Sequence, residues 1–174
     1  MLGAAQDGSR DWITLIGSVC ADGTTLPPAI IYQAISGNIH DSWLNDYNPE
    51  KHGCYITSTP SGWTSEELAL SWLTKVFDCI SKPKAREGRD WRLLIVDGHN
   101  SHINIRFLDW CDKHRVLVAV FPPHSTHQLQ PLDVTCFRSL GHHYSLNLDK
   151  WQIATQGLTR LSKREFFSLF WPAF

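Results

Sequence analysis

Residues 93–102 read LLIVDGHNSH, and residues 121–134 read FPPHSTHQLQPLDV. In the first stretch, four apolar residues lead into Asp97 and a glycine, which is how a buried strand delivers a carboxylate to the edge of a sheet. In the second stretch, two prolines stop another strand, and a polar loop leads to a second isolated carboxylate, Asp133. Both stretches therefore predict strand ends that are followed by acidic side chains.

The spacing of these carboxylates predicts a shared site. Between Asp97 and Asp133 lie 35 residues, which is room for one helix and one strand. If the helix is a crossover, the two strands are parallel neighbours. Carboxylates on neighbouring element ends can hold hard cations through oxygen, and paired divalent ions commonly drive in-line displacement at phosphorus. Each carboxylate also has a structural alternative, an Asx turn or helix cap for the first and a helix N-cap for the second.

The two stretches resemble the signatures of the pogo-like DDE superfamily endonucleases, which include the Tigger and jerky-type transposases. Those signatures run Leu-Ile-Leu-Asp-Gly-His-x-Ser-His and Pro-Pro-His-x-Thr-His-x-Leu-Gln-Pro-Leu-Asp-Val. The similarity covers nearly the whole chain. Residues 11–32 resemble the family's strand pair before its middle helix, residues 61–64 resemble the start of that helix, and residues 163–173 resemble a downstream segment of fungal elements.

This resemblance implies an α/β fold of the ribonuclease H-like type, in which helices flank a mixed sheet. It implies a single partial domain over residues 1–174, with its core at about 11–150. It also implies cleavage and strand transfer of DNA with Mg²⁺ or Mn²⁺ in a two-ion site, where Asp97 bridges both ions and Asp133 completes one site. Transposon DNA ends, an oligomeric transposition complex and the nucleus are the implied partner, assembly and location.

The family's first metal ligand is not among these motifs. It is an aspartate in an Asp-Glu-x-Gly-Phe motif on the first, central strand, and in similar relatives this motif runs on into Met-Leu-Gly, which here stands at residues 1–3. We therefore expect the central strand to be missing between strand 12–21 and strand 92–96. An unpaired position inside a sheet is costly, so we expect poor stability, or residues 1–10 in the empty position. We also expect little or no catalytic activity.

Two histidine pairs, His99-x-x-His102 and His124-x-x-His127, belong to the family signatures but are not its catalytic ligands. We expect these histidines, together with Gln130, to orient the carboxylates or the loop through hydrogen bonds. A zinc-dependent hydrolase that uses the two pairs is the alternative. It is disfavoured because zinc-binding pairs usually lie on a helix face or in a tight knuckle, whereas both pairs here lie in predicted loops.

Composition limits the classes of function. The chain of 174 residues has 43% hydrophobic and 19% charged residues, as in a globular domain, and it shows neither a signal-peptide pattern nor an apolar span long enough for a membrane. Its net charge of −1 is unlike that of a domain that grips DNA alone, and no segment resembles a helix-turn-helix region. A non-catalytic DNA or protein interaction module, left over from a transposon, is therefore a second hypothesis.

Basic residues occur in two local clusters, each of which is also typical of a solvated loop or helix start. The clusters are Lys82, Lys84, Arg86, Arg89 and Arg92, and Arg160, Lys163 and Arg164. The eight tryptophans are interpreted as core packing rather than as a stacking platform for single-stranded DNA. The five cysteines are interpreted as reduced core residues of an intracellular protein.

Periodicity predicts the remaining elements. We expect a hairpin with strands at 12–21 and 29–32, an irregular connection over 34–63, and a helix that a Thr64-x-x-Glu67 capping box opens. Residues 82–90 are expected to form an exposed loop. A helix over 103–113, a strand over 116–121 and a helix from Asp133 to about 150 follow. A Ser162-x-x-Glu165 capping box opens the last helix. The helix over 103–113 is expected to bury Ile103, Phe107, Leu108 and Cys111.

Overall fold

The computed structural model describes residues 12–97, 104–123 and 125–174. Five strands are described: β1 (Ile13–Ile16), β2 (Ala29–Gln33), β3 (Tyr55–Thr59), β4 (Arg92–Val96) and β5 (Val116–Val120). The α-helices are α1 (Glu66–Trp72), α2 (Cys79–Lys84), α3 (Ile105–Lys113), α4 (Thr126–Leu129), α5 (Phe137–Ala154) and α6 (Lys163–Phe170). Short 3₁₀ turns occupy Asp41–Leu44 and Trp171–Ala173, and π-helical turns occupy Leu73–Asp78 and Leu132–Cys136.

The strands form a mixed set that helices flank, as predicted. β1 pairs antiparallel with β2, with Ile13 opposite Tyr32, and β2 pairs parallel with β3. β4 and β5 pair parallel, with Arg92 opposite Val116, and α3 is the crossover between them. The parallel pair around the first carboxylate motif is therefore confirmed, but the expectation that β4 is a buried strand is wrong, because Leu93 and Ile95 on one of its faces are more than half exposed. The arrangement agrees with the ribonuclease H-like fold that the resemblance implies.

The irregular connection expected over 34–63 is wrong in its last part, where β3 lies. Its sequence, YITST, has the β-branched, alternating pattern of a strand, but it follows a segment rich in glycine, serine and asparagine. The pairing partner is β2, more than 20 residues earlier. Local composition could not show this pairing.

Two hydrophobic clusters lie on either side of the three-stranded sheet. In one, Ala29 of β2 packs with residues of the α1–π-helical segment and of α3, including Trp72, Leu73 and Phe107. In the other, Ile30 and Tyr32 of β2 pack against Phe167 and Phe170 of α6. Because alternate residues of a strand point to opposite faces, β2 serves both clusters and is the most buried strand. Residues after position 150 thus belong to the core.

The helix after β3 begins one residue later than predicted. Ser65, not Thr64, is the N-cap, since its hydroxyl accepts a hydrogen bond from the Leu68 amide. The helix then continues through the π-helical turn into α2 and ends at Lys84, so the first residues of the loop expected over 82–90 are helical. Leu68, Trp72, Leu73 and Val76 recur at helical spacing and are all buried.

The other helix predictions are confirmed in part. In α3, Phe107 and Cys111 are buried as predicted, but Leu108 is 40% exposed, and Ile103 lies outside the described residues. The capping box of α6 is present. The Ser162 side chain accepts a hydrogen bond from the backbone of residue 165, and the Glu165 side chain accepts one from the backbone of residue 162. This box fixes where α6 begins and therefore how its phenylalanines meet β2.

The edge of β1 that faces away from β2 and the edge of β4 that faces away from β5 are open within the described residues. β1 pairs only with β2, and β4 pairs only with β5, so the described strands form two separate sheets. These are the edges that the expected central strand would join. Residues 1–10, which were expected to occupy that position, lie outside the described residues.

The core interpretation of the tryptophans and cysteines is wrong for several of them. Trp12, Trp63 and Trp91 are 40%, 52% and 62% exposed, and the rings of Trp12 and Trp63 contact each other at 4.6 Å. All five cysteines are free thiols as predicted, but Cys79 and Cys136 are exposed. Trp12 and Trp91 directly precede strands, Trp63 lies in the connection between β3 and α1, and Cys79 and Cys136 lie at the ends of helical segments. At such positions apolar periodicity does not report burial.

Candidate active site

Asp97 immediately follows the last residue of β4, at the carboxyl end of the parallel β4–β5 pair. The apolar strand fixes its position, because the pair continues past Val96 through a hydrogen bond of 3.1 Å from the Phe121 amide to the Val96 carbonyl. Asp97 itself is half-buried. Side chains at the carboxyl ends of parallel strands are well placed for ligand binding, because the crossover leaves this edge accessible.

Asp133 lies in the first turn of the Leu132–Cys136 π-helical segment, as predicted, and it is exposed. Its amide donates a hydrogen bond of 3.1 Å to the carbonyl of Gln130, and the Val134 amide donates to the same carbonyl at 3.1 Å. Gln130 therefore holds this turn through its backbone. We predicted that the Gln130 side chain orients the carboxylates or the loop through hydrogen bonds, and no contact among the described residues supports this role.

A close approach places the Asp133 turn against the end of β1. A Cβ atom on Gly17, directly after β1, would lie 3.3 Å from the ring of Phe137 and 3.5 Å from a methyl carbon of Leu132. Gly17 is thus the residue that lets the turn approach the strand. It is not among the predicted site residues, and its only signal in the sequence is a glycine that interrupts a strand pattern.

The amide oxygen of Gln130 is buried and has no hydrogen-bond partner among the described residues. A buried acceptor without a partner is costly, so a donor or a cation at this point would stabilise it. Amide and carboxylate oxygens are the donors that hard divalent ions take. The oxygens of Gln130, Asp97 and Asp133 therefore fit such an ion in kind, although the described residues contain no cluster of three histidine, cysteine or acidic residues.

His99, His102 and His124 lie outside the described residues, and so does the side chain of His127. The orienting role of these histidines and the alternative zinc site therefore both remain predictions.

The family model described as DDE superfamily endonuclease matches residues 9–168 of the chain. The chain is 33% identical over 172 residues to a Cochliobolus lunatus protein named MFS-type transporter clz9, a match over 98% of this chain and 18% of that protein. No helix among the described residues has the length and apolar character needed to cross a membrane.

Relatives with pogo in their names also match. The human pogo transposable element with ZNF domain is 26% identical over 132 residues, which is 74% of this chain and 8% of that protein. The mouse pogo transposable element with KRAB domain is 27% identical over 148 residues, which is 82% of this chain and 22% of that protein. The chain thus spans less than a quarter of the length of each of these curated relatives. No solved structure matches the chain.

Proposed function

Because the chain belongs to the DDE superfamily endonucleases and resembles pogo transposable elements, we propose that this transposase-derived domain descends from an enzyme for metal-dependent cleavage and transfer of DNA strands. The observation that carries this proposal is the position of Asp97 at the carboxyl end of β4, beside a parallel neighbour. A carboxylate that follows a strand end has little freedom, so it would receive an incoming cation without reorganising.

In the proposed site, Asp97 and Asp133 hold Mg²⁺ or Mn²⁺. Such ions activate a water or a 3′-hydroxyl and stabilise the leaving oxygen at phosphorus. The half-buried carboxylate of Asp97 contributes negative charge where water is partly excluded. The Gln130 carbonyl restrains the turn that presents Asp133, and its buried amide oxygen offers a further acceptor to a ligand or its water.

We expect the chain of 174 residues by itself to bind Mn²⁺ weakly and to cleave little DNA, since its recognised motifs contain two of the family's three acidic ligands. Mn²⁺ should raise the melting temperature of the unaltered protein, and Asp97→Asn or Asp133→Asn should abolish that rise. Asp149→Asn is the matched control, because it removes the same charge from an exposed position of α5. If all three variants respond to Mn²⁺ like the unaltered protein, these carboxylates do not hold the metal.

Cleavage itself is tested with terminal-repeat DNA and Mn²⁺. Nicking that is present in the unaltered chain and lost in Asp97→Ala would show that the chain supplies a third ligand of its own, and the expected inactivity would be wrong. Sequencing the genomic DNA before the Met1 codon separates the two readings of the family resemblance. An in-frame Asp-Glu-x-Gly-Phe segment supports an enzyme, and a transcript without it supports a remnant.

The second candidate is a non-catalytic DNA or protein interaction module. It is favoured by relatives whose names join a pogo element to a ZNF or KRAB domain. Under this hypothesis Asp97→Asn leaves DNA or protein binding unchanged, whereas under the enzyme hypothesis it abolishes metal-dependent cleavage by the complete protein.

Transposon ends as the DNA partner, assembly into an oligomer and a nuclear location form part of the same proposal. A fluorescent fusion of the complete protein should accumulate in the nucleus. Size-exclusion chromatography with and without terminal-repeat DNA should show assembly that depends on DNA. A cytoplasmic fusion, or a monomer under both conditions, would contradict the corresponding statement.

A further inference from the structure

A basic cavity of about 290 Å³ lies at the end of the β4–β5 pair opposite to Asp97. Two loops form it, one before β4 and one between α3 and β5, so residues far apart in sequence meet there. Its lining contains five cationic side chains, one carboxylate and one histidine: Lys82, Arg89, Arg92, Lys113 and Arg115, with Glu87 and His114. We propose that this cavity, called here the basic pocket, binds a phosphate of the DNA backbone, away from the site of cleavage.

Hydrogen bonds hold the two loops together, so the wall of the basic pocket is built before any ligand arrives. The Arg92 amide donates to the Arg115 carbonyl at 2.9 Å, and the Arg92 guanidinium donates to the His114 carbonyl at 2.9 Å. The Arg115 guanidinium in turn donates to the Arg89 carbonyl. A preformed site loses less conformational entropy on binding than mobile surface lysines do.

The basic pocket has a large excess of positive charge. One of its five cations, Arg92, is neutralised by an ion pair of 2.7 Å with Asp78, and Glu87 offsets a second. Three positive charges therefore remain within one small cavity, on a chain whose net charge is −1. Such local concentration attracts an anion and is unfavourable without one.

Arg92 forms a fixed part of the wall of the basic pocket. It is only 8% exposed, and its guanidinium donates hydrogen bonds to Asp78, Ser81 and the His114 carbonyl. The exposed cations Lys82, Lys113 and Arg115 therefore lie on a rigid wall. Their N–H groups are the donors that phosphate oxygens accept from.

The place of the basic pocket favours the backbone of DNA as its ligand. Arg92 begins β4 and Asp97 follows its end, a separation of about 16 Å at the rise of a strand. On one strand of a duplex this corresponds to roughly five nucleotides, so a single duplex is long enough to reach both ends of β4.

The inference rests on the proposed DNA partner but not on catalysis, and binding to a short labelled duplex in EDTA tests it by fluorescence anisotropy. The double variant Lys82→Gln/Lys113→Gln removes two exposed cations of the basic pocket. We expect its affinity to fall on the order of tenfold for each lost contact at 50 mM salt, and the slope of log K against log salt to decrease by about 2. The control Lys51→Gln/Lys150→Gln removes the same charge elsewhere and should leave both quantities unchanged.

Three results would overturn the inference. The first is equal loss of affinity in both double variants, which would mean a general effect of charge. The second is absence of binding by the unaltered protein. The third is a combination of two observations: inorganic phosphate stabilises the unaltered protein but not the pocket variant, and the two proteins bind DNA with the same affinity. This combination would assign the basic pocket to a small phosphate compound. Since EDTA excludes cleavage, a failed Mn²⁺ assay would leave this result intact.

Discussion

Replacing Asp78 by alanine removes one partner of the buried ion pair at the start of β4. The Asp78 carboxylate accepts from the Arg92 guanidinium at 2.7 Å, and the two side chains are only 17% and 7% exposed. Alanine leaves the guanidinium charge in place with no anion beside it. The expected consequence is a large loss of stability, since an uncompensated buried charge cannot be solvated by water.

The magnitude follows from what remains around the guanidinium. Breaking a buried pair by removing one partner costs about 3–5 kcal/mol. Here Ser81 Oγ and the His114 carbonyl, each at 2.9 Å, still accept from the guanidinium, and the Phe77 ring lies 5.5 Å from it. We therefore expect the lower end of this range, about 3 kcal/mol, which lowers the melting temperature of a chain of this size by roughly 6–12 °C.

Urea unfolding followed by tryptophan fluorescence measures the loss. Asp90→Ala is the matched control, because it breaks the exposed ion pair between Arg86 and Asp90, and exposed pairs contribute little to stability. A second comparison, Asp78→Leu with Arg92→Met, removes both charges and should recover most of the lost stability. If Asp78→Ala is no more destabilising than Asp90→Ala, the pair does not anchor β4 and the reasoning is refuted.

Three further measurements test other parts of the molecule. Ser162→Ala removes the N-cap of α6 and should cost about 1 kcal/mol in urea unfolding, and no change would contradict the capping role. Burial raises the pKa of the Cys111 thiol to about 11. Iodoacetamide at neutral pH should therefore label Cys111 far more slowly than the exposed Cys79, as measured by mass spectrometry. Equal labelling rates would refute the burial of Cys111. The hydrogen bond from Lys84 lowers the pKa of Asp22, so this group stabilises the fold above its ordinary pKa of 3.8 and less as the pH falls below it. The melting-temperature difference between the unaltered protein and Asp22→Asn should therefore shrink below about pH 4, and a constant difference would refute the pairing.

The elements that could be predicted from the sequence are those whose signals are local and continuous. The apolar run of β4 ends on Asp97, and α3 and β5 follow at the spacing of a parallel crossover. The capping box at residues 162–165 likewise predicts where the last helix begins, because its whole signal lies within four residues. In these segments, propensity, periodicity and end signals agree, so one structure satisfies all of them.

Where the predictions failed, the deciding interaction was not local. Residues of β3 form a strand because they pair with the edge of β2, and no sequence signal near Tyr55 predicts that pairing. Thr64 and Ser65 are both good N-caps, and the choice depends on which residues of α1 meet the sheet. Gly17 has its role only because the Asp133 turn reaches back to β1. Contacts of this kind form between elements that are distant in the sequence, so local sequence patterns do not predict them.

The basic pocket shows the same limit for charge. The sequence places five basic residues close together before β4, but three of them are neutralised in the structure: Lys84 by Asp22, Arg86 by Asp90, and Arg92 by Asp78. The charge that remains gains Lys113 and Arg115 from a segment about 20 residues later. The basic cluster in the sequence therefore indicated the correct end of β4, but only some of its residues supply the unpaired positive charge there. The cations available to a phosphate are those that folding leaves outside ion pairs, and only the folded chain decides which these are.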